Sequence, residues 1–330
     1  MERGSRRQVF PLLFAVFVSM LGVGIISPIL PVYAEMMGAS GFVIGIIFGL
    51  FSVSRSIVMP VYGRLSDLKG RKGFIVAGLS AYCLLSFAYA AAWNIVALSV
   101  VRLFHGLASA AILPIAMAYV GDISPPGEEG KMMGIYNTSL LLGFGSGPVL
   151  GGFIRDLFGI NEAFYAMGIL VFIGLLLVIF IVKEPEKKGK IAEKYPFREM
   201  VDSRRLRALF AFRLANAVGR SAVFAFLPIF GHTLLGLSGT SIGFLLSAIV
   251  IVASLFQTPF GVLADRFSRK NLVLAGGILN GVCLVLIGFC RSFSSLLLVV
   301  VALGLSGAIA LPSLTALAVD EGRSVGMGSV

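Results

Sequence analysis

Long apolar runs alternate with short polar stretches along the whole chain. Ten runs are long enough to cross a bilayer, at 10–33, 42–62, 74–92, 95–120, 132–153, 163–182, 206–230, 242–264, 272–290 and 295–318. A spanning helix needs about 20 mostly apolar residues. Seven of the runs contain no Asp, Glu, Lys or Arg. The exceptions are the second (Arg55), the fourth (Arg102) and the seventh (Arg207, Arg213 and Arg220). The runs are apolar on all sides. A membrane barrel would instead show segments of about ten residues alternating in polarity. The pattern predicts an all-α membrane protein with about ten transmembrane helices.

Composition agrees with this reading. The 330 residues are 58% hydrophobic and 13% charged, and mean hydropathy is +0.97. Soluble domains carry about 25% charged residues. The net charge of +11 would raise the question of nucleic acid in a soluble protein. Here the basic residues sit in loops between apolar runs, and no basic patch is interleaved with aromatics, so nucleic acid is not an expected partner. Cys83, Cys283 and Cys290 all lie in apolar runs without metal-ligand spacing, and the chain has two His. No metal site or disulfide framework is expected.

The distribution of charge predicts orientation. With the N-terminus in the cytoplasm, 21 Lys and Arg fall on that side, counting Arg207 at the start of the seventh run, and 2 on the other, while Arg55, Arg102, Arg213 and Arg220 lie within helices. That is the positive-inside pattern. Arg3, Arg6 and Arg7 precede an apolar run too long for a signal peptide, so the first run is read as a retained helix. The protein is expected to be multi-pass in the cell inner or plasma membrane.

A polar stretch, Gly63–Lys72, occurs again at Gly261–Lys270, 198 residues later, with Gly, Asp and the basic pair at the same spacing. It reads as a loop between the second and third runs. Other pairs keep that offset: Ala77-Gly78 with Ala275-Gly276, Leu113-Pro114 with Leu311-Pro312, and Asp122 with Asp320. Leu30-Pro31 and Leu227-Pro228 match at 197. A chain built twice from one plan implies two bundles around a central cavity. The predicted division is a six-helix bundle at 1–182, a Lys- and Glu-rich cytoplasmic linker at 183–205, and a bundle of four helices plus the start of a fifth at 206–330. By the first half's plan, about 45 to 50 further residues would complete the second, so a truncated twelve-helix chain is expected.

Four motifs resemble the major facilitator superfamily, and more narrowly its twelve-helix drug:proton antiporters. The first is Gly63-x-x-x-Asp67-x-x-Gly70-Arg71-Lys72. The second is Gly22 with Pro28 and Pro31 in helix 1. The third is Arg102-x-x-x-Gly106 in helix 4. The fourth is Gly143, Gly147, Pro148, Gly151 and Gly152 in helix 5. The resemblance implies the major facilitator fold, with 6 + 4 of twelve helices present. It implies that Gly63, Asp67, Gly70, Arg71 and Lys72 form a latch between the halves. The partner of that latch would lie in helix 11, beyond this chain's last residue. The second copy, Asp265, Arg269 and Lys270, would latch near Lys131. The helix 5 motif implies an antiporter, packed against helix 8.

An arginine about 10 Å deep in a membrane helix is costly and should face a cavity or partner. By resemblance Arg102 takes part in proton coupling. His105, Arg220 and Arg55 are further candidate cavity or coupling groups, and Arg55 and Arg213 lie near enough to one face to snorkel. Helices 1 and 4 hold no deep carboxylate, which leaves the proton relay without a visible acid. Tyr33, Phe104, Met117, Phe224 and Phe226 are candidate substrate contacts. The expected protein is a monomeric secondary transporter that exports amphipathic small molecules, with the proton gradient as its energy source and no cofactor. A sugar or metabolite transporter of the same fold and a non-transporting remnant are the alternatives. An enzyme is not expected, because the chain has no phosphate loop or nucleophile elbow.

Overall fold

The computed structural model describes the backbone of residues 3–124, 129–184 and 204–325. Side chains are described for 9–124, 132–184, 207–263, 267–314 and 317. Among the described residues every regular element is helical. The helices are α1 (Arg3–Met36), α2 (Gly41–Lys69), α3 (Arg71–Ala90), α4 (Ile95–Ala110), α5 (Leu113–Ile123), α6 (Glu129–Phe158) and α7 (Ile160–Ile181). They are followed by α8 (Arg204–Ile229), a π-helical turn at Phe230–Leu234, α9 (Gly239–Arg266), α10 (Arg269–Ile287) and α11 (Phe293–Val325). Large apolar side chains such as Phe42 and Trp93 are more than three-quarters exposed. That is the arrangement lipid requires and water penalises.

Nine described helical segments are long and apolar enough to cross a membrane, with α4 and α5 counted as one span. The sequence predicts ten. The difference is α6, a 30-residue helix about 45 Å long. Its glycines and the Asn137-Thr138-Ser139 triplet dilute its hydropathy.

Two boundaries differ from expectation. The stretch 63–72 is not a loop. Gly63 to Lys69 are the last two turns of α2, and Gly70 alone breaks the helix before α3. The Ser66 hydroxyl donates to the Gly63 carbonyl at 2.7 Å, and Asp67 pairs with Arg71 one turn on. These local contacts carry the helix past the apolar run. The fourth run is also not one helix. Pro114 has no N–H and its ring crowds the preceding turn, so α4 stops at Ala110. The turn tightens through Ala111 N–H to Ala108 at 3.1 Å and Ile112 N–H to Ser109 at 3.2 Å. Helix α5 then starts with Pro114 in its first turn.

The chain divides into two compact units: Met1–Ile191 with Pro228–Phe244, and Ala192–Leu227 with Leu245–Val330. In the first, α1 lies at the centre against α6 and α7, and α3 and α4 pack on their neighbours. Its core holds Leu12, Ile25, Ile29, Tyr82, Tyr89, Tyr119 and Phe164, all fully buried. In the second, α10 and α11 form the main pair.

The sequence repeat has a counterpart in packing inside each unit. A side chain on Gly78 would meet the Ala108 carbonyl at 3.0 Å, and one on Gly276 the Ser306 carbonyl at 2.8 Å. Gly106 is pressed against the Phe51 carbonyl, and Gly304 against that of Ile249. Each pair of partners is separated by the same 198 residues.

Candidate functional site

The α2–α3 junction is a polar knot. Gly70 has φ 106°, a left-handed conformation that costs an L-residue about 1–2 kcal/mol. A Cβ there would also lie 2.9 Å from the Glu184 carboxylate. The space is needed because Glu184 caps α3, accepting from the backbone N–H of both Arg71 and Lys72. The N-terminus of a helix favours such a negative charge. Arg71 holds two acids at once, Asp67 at 2.9 Å and Asp122 at the end of α5. Lys72 Nζ donates to the Ile179 carbonyl in the last turn of α7 at 2.8 Å. Tyr119 donates to the Lys183 carbonyl at 2.5 Å. Four helix ends of the first unit are thus tied at one point. Asp122 and Glu184 were not among the expected site residues. Asp122 carried a signal in its copy, Asp320, and Glu184 carried none.

Gly63 meets nothing within 4 Å in the structure. In the second copy, Arg269 is half-buried and Lys270 exposed at the start of α10. The side chains of Asp265 and Lys131 lie outside the described residues, as does the linker beyond Glu184.

A second cluster surrounds Arg102, which is 4% exposed. Its guanidinium carbon lies 4.5 Å from the centre of the Phe51 ring and 5.1 Å from that of Phe48. Contact with aromatic faces replaces part of the lost hydration. His105, one turn on, is fully buried. Its Nδ1 is 2.9 Å from the Tyr89 hydroxyl, and its ring lies 4.2 Å from that of Tyr82. Tyr82 donates in turn to the Ser19 carbonyl of α1 at 2.9 Å. Arg102 Nε and Nη1 and His105 Nε2 are buried without a hydrogen-bond partner. Among the described residues no carboxylate pairs with Arg102. Arg55 is half-buried on α2, within electrostatic range of His105. This interior is cationic and rich in donors. It can hold an acceptor or relay polarisation between Arg102, Tyr89 and His105. The depth of Arg102 was legible in the sequence, but its aromatic partners were not.

The glycines of α6 have two neighbours. A Cβ on Gly147 would stand 2.5 Å from the Leu21 carbonyl and 2.6 Å from the Gly24 Cα. One on Gly151 would stand 2.6 Å from the Ile25 carbonyl, and Gly143 is pressed against Phe17. These three form a seam on α1. Of the motif's residues, Gly152 and the Pro148 carbonyl touch the start of α9, at Gly239 and Gly243. The expected contact of this motif with helix 8, here α9, is present at Gly152 and Pro148, and a second contact joins it. Three of the four glycines serve the α1 contact, with Gly24 as the reciprocal small residue. At the end of α6, Asp156 accepts from Gly239 N–H at 2.9 Å and from the Thr240 N–H and hydroxyl at 2.6 Å. Burial alone would raise its pKa. Bonds from the Thr240 side chain, the Thr240 and Gly239 N–H groups, and nearby Arg155 outweigh that and hold it below the ordinary carboxylate value.

The remaining candidates are dispersed. Gly22 sits against the Tyr82 hydroxyl and Met167. Pro28 and Pro31 are buried in an unbroken α1. Tyr33 is not a free cavity wall, because its hydroxyl donates to the Ala92 carbonyl at 3.0 Å and its ring packs on Phe164. Phe104, Met117 and Phe226 are exposed. Arg220 and Phe224 line a cavity inside the second unit.

Comparison with known proteins gives this arrangement its family. The profile of the Major Facilitator Superfamily matches residues 12–322. An uncharacterised MFS-type transporter of Methanocaldococcus jannaschii is 30% identical over 326 residues, covering 96% of this chain and 83% of its own length. Multidrug resistance protein 2 of Bacillus subtilis is 30% identical over 300 residues, covering 86% and 75%. A crystal structure of a bacterial homologue of the human lysosomal transporter Spinster, inward-facing and unoccupied, superimposes with a TM-score of 0.82 at 14% identity, covering 96% of this chain and 75% of that one. That likeness concerns fold alone. The all-α multi-pass architecture, the repeat and the motif-bearing junction thus belong to one family, and the chain is a member of the Major Facilitator Superfamily of membrane transporters.

Proposed function

We propose that the protein is a proton-coupled exporter of amphipathic small molecules, working by alternating access in the plasma membrane with its N-terminus in the cytoplasm. The observation that carries export is the α6 seam. Three glycines and Pro148 let α6 lie directly on α1 while its far end is tied to α9. A helix so seated can tilt as a rigid piece with little side-chain interlock. The similarity to a protein named for multidrug resistance supports a loosely specific substrate.

Arg102 is the proposed coupling residue. A buried guanidinium with two unpartnered nitrogens is costly. Its cost changes whenever an acceptor or a proton moves nearby, and that is what couples a gradient to a conformation. The polar knot at Arg71 keeps the ends of four helices together so that the unit moves as one. It stands on the cytoplasmic side in this orientation, and its half-exposed Asp67, paired with Arg71, serves as the latch. The protein works as a monomer on small molecules and protons, and needs no cofactor beyond the gradient.

The test is dye-induced discharge of a pH gradient in proteoliposomes, with a panel of amphipathic dyes of either charge. Discharge by at least one dye is expected, and its loss in Arg102→Ala. Unchanged discharge in that variant, with the protein folded, removes Arg102 from the coupling role.

A further inference from the structure

The two repeats fill the same place differently. In the first unit, Tyr82 and His105 occupy the space beside the Gly78 and Gly106 seams, and both are buried. The residues 198 positions later are Asn280 and Leu303. Asn280 is much smaller than Tyr82, while Leu303 is about the size of His105 but apolar, and a cavity of about 50 Å³ opens beside Asn280 and Gly304. Two polar groups reach it from α8, Asn216 and Arg220, with Phe224 and Leu303 on the apolar side. Asn216 stands where the first repeat has Ser19, at the 197 offset of that helix. The positive charge has changed helix as well. The position equivalent to Arg102 is Val300, which is fully buried.

We infer that this cavity is a binding site for the carboxylate headgroup of an amphipathic anion. No Asp or Glu lines it. Arg220 offers a planar fork of N–H donors that matches a carboxylate in both geometry and charge. The amides of Asn216 and Asn280 add donors, one of Asn280's being used at 3.3 Å from Ser306 Oγ. Arg220 is accessible, in contrast to the sealed Arg102, so a ligand can reach it. The volume suits the headgroup only. A water-sized group needs about 10–15 Å³ of such space, which leaves room for three or four heavy atoms. The tail must stay outside the cavity, whose apolar wall is the buried pair Phe224 and Leu303. Calling the anion a substrate rests on the exporter reading; the binding site does not.

The test is fluorescence titration of the purified protein in non-ionic detergent with 1-pyrenebutyrate and its neutral analogue 1-pyrenebutanol. Wild type is expected to bind the carboxylate at least tenfold more tightly. Arg220→Gln should abolish that preference and leave binding of the alcohol unchanged, and Arg220→Lys should keep part of it. Asn280→Tyr restores the residue that the first repeat already accommodates. It should close the cavity and remove carboxylate binding without loss of thermal stability. A wild type that binds both ligands equally, or a preference that survives Arg220→Gln, overturns the proposal. Transport of the dye panel together with equal binding of the two pyrene ligands would sink this site and leave the exporter reading intact. Selective binding without transport would do the reverse.

Discussion

Arg71 shows how much the environment of a single residue decides. It pairs with Asp67 and Asp122, but the two acids differ. Asp67 is half exposed, whereas Arg71 and Asp122 are 12% and 20% exposed at the side chain. An exposed pair contributes about 0–1 kcal/mol, while a hydrogen bond to a charged group in a partly buried site contributes about 1.5–3 kcal/mol. Asp122→Asn should therefore lower the thermal midpoint in detergent clearly, and Asp67→Asn hardly at all. Equal shifts would mean that the knot is not organised around Asp122. The charges of this junction and Asp67 were visible in the sequence as a repeated motif. Their partners were not, because Asp122 and Glu184 lie 51 and 113 residues from Arg71, and spacing encodes only near neighbours. The same holds for Arg102, whose burial follows from its depth while Phe48 and Phe51 come from another helix.

At the scale of elements, the α1–α6 seam makes the sharpest prediction. Gly147→Val would drive a branched side chain into the Leu21 carbonyl and Gly24. Overpacking of a tight contact costs about 1–3 kcal/mol, and the helices would have to separate. The variant should unfold at lower temperature and lose transport. Gly134, on the same helix, has open space around it. Gly134→Ala should leave stability equal or improve it, by up to about 1 kcal/mol. The i, i+4 spacing of Gly143, Gly147 and Gly151 puts them on one face, which the sequence shows. Which helix meets that face is a matter of topology, and the sequence does not show it. The α4–α5 break, which the single run at 95–120 did not anticipate, is a local effect of Pro114.

The other end of α6 predicts a pH dependence. The pKa of Asp156 is depressed in the folded state. Its contribution is therefore complete above the unfolded value near ~3.9 and lost as pH falls through the lower folded value. A carboxylate at an exposed helix N-terminus is worth about 0.3–1 kcal/mol. Asp156→Asn should be slightly less stable than wild type from pH 5 to 8. The difference should disappear at the acid end, as thermal midpoints across pH would show. A difference independent of pH would assign the effect to shape and not to charge.

For the whole molecule, the repeat is the main lesson. Ten apolar runs, two matched halves and a charged junction were readable before any coordinates, and they indicated the fold class and the family. The departure from symmetry was not readable. Both repeats keep their glycine seams, but one fills the intervening space with Tyr82 and His105 and the other leaves it open beside Arg220. Asn280 in place of Tyr82, with an apolar Leu303 in place of His105, leaves an accessible pocket in one repeat where the other has a packed cationic core. On the proposed reading, one repeat carries the proton-responsive group and the other the substrate group. The most direct measurement of this account is discharge of an imposed pH gradient in proteoliposomes, for wild type and for Arg102→Ala and Arg102→Lys matched in thermal stability. The account predicts dye-dependent discharge by wild type, none by Arg102→Ala and a reduced rate for Arg102→Lys. Discharge of equal rate in all three, or no discharge with any dye of the panel, would contradict it.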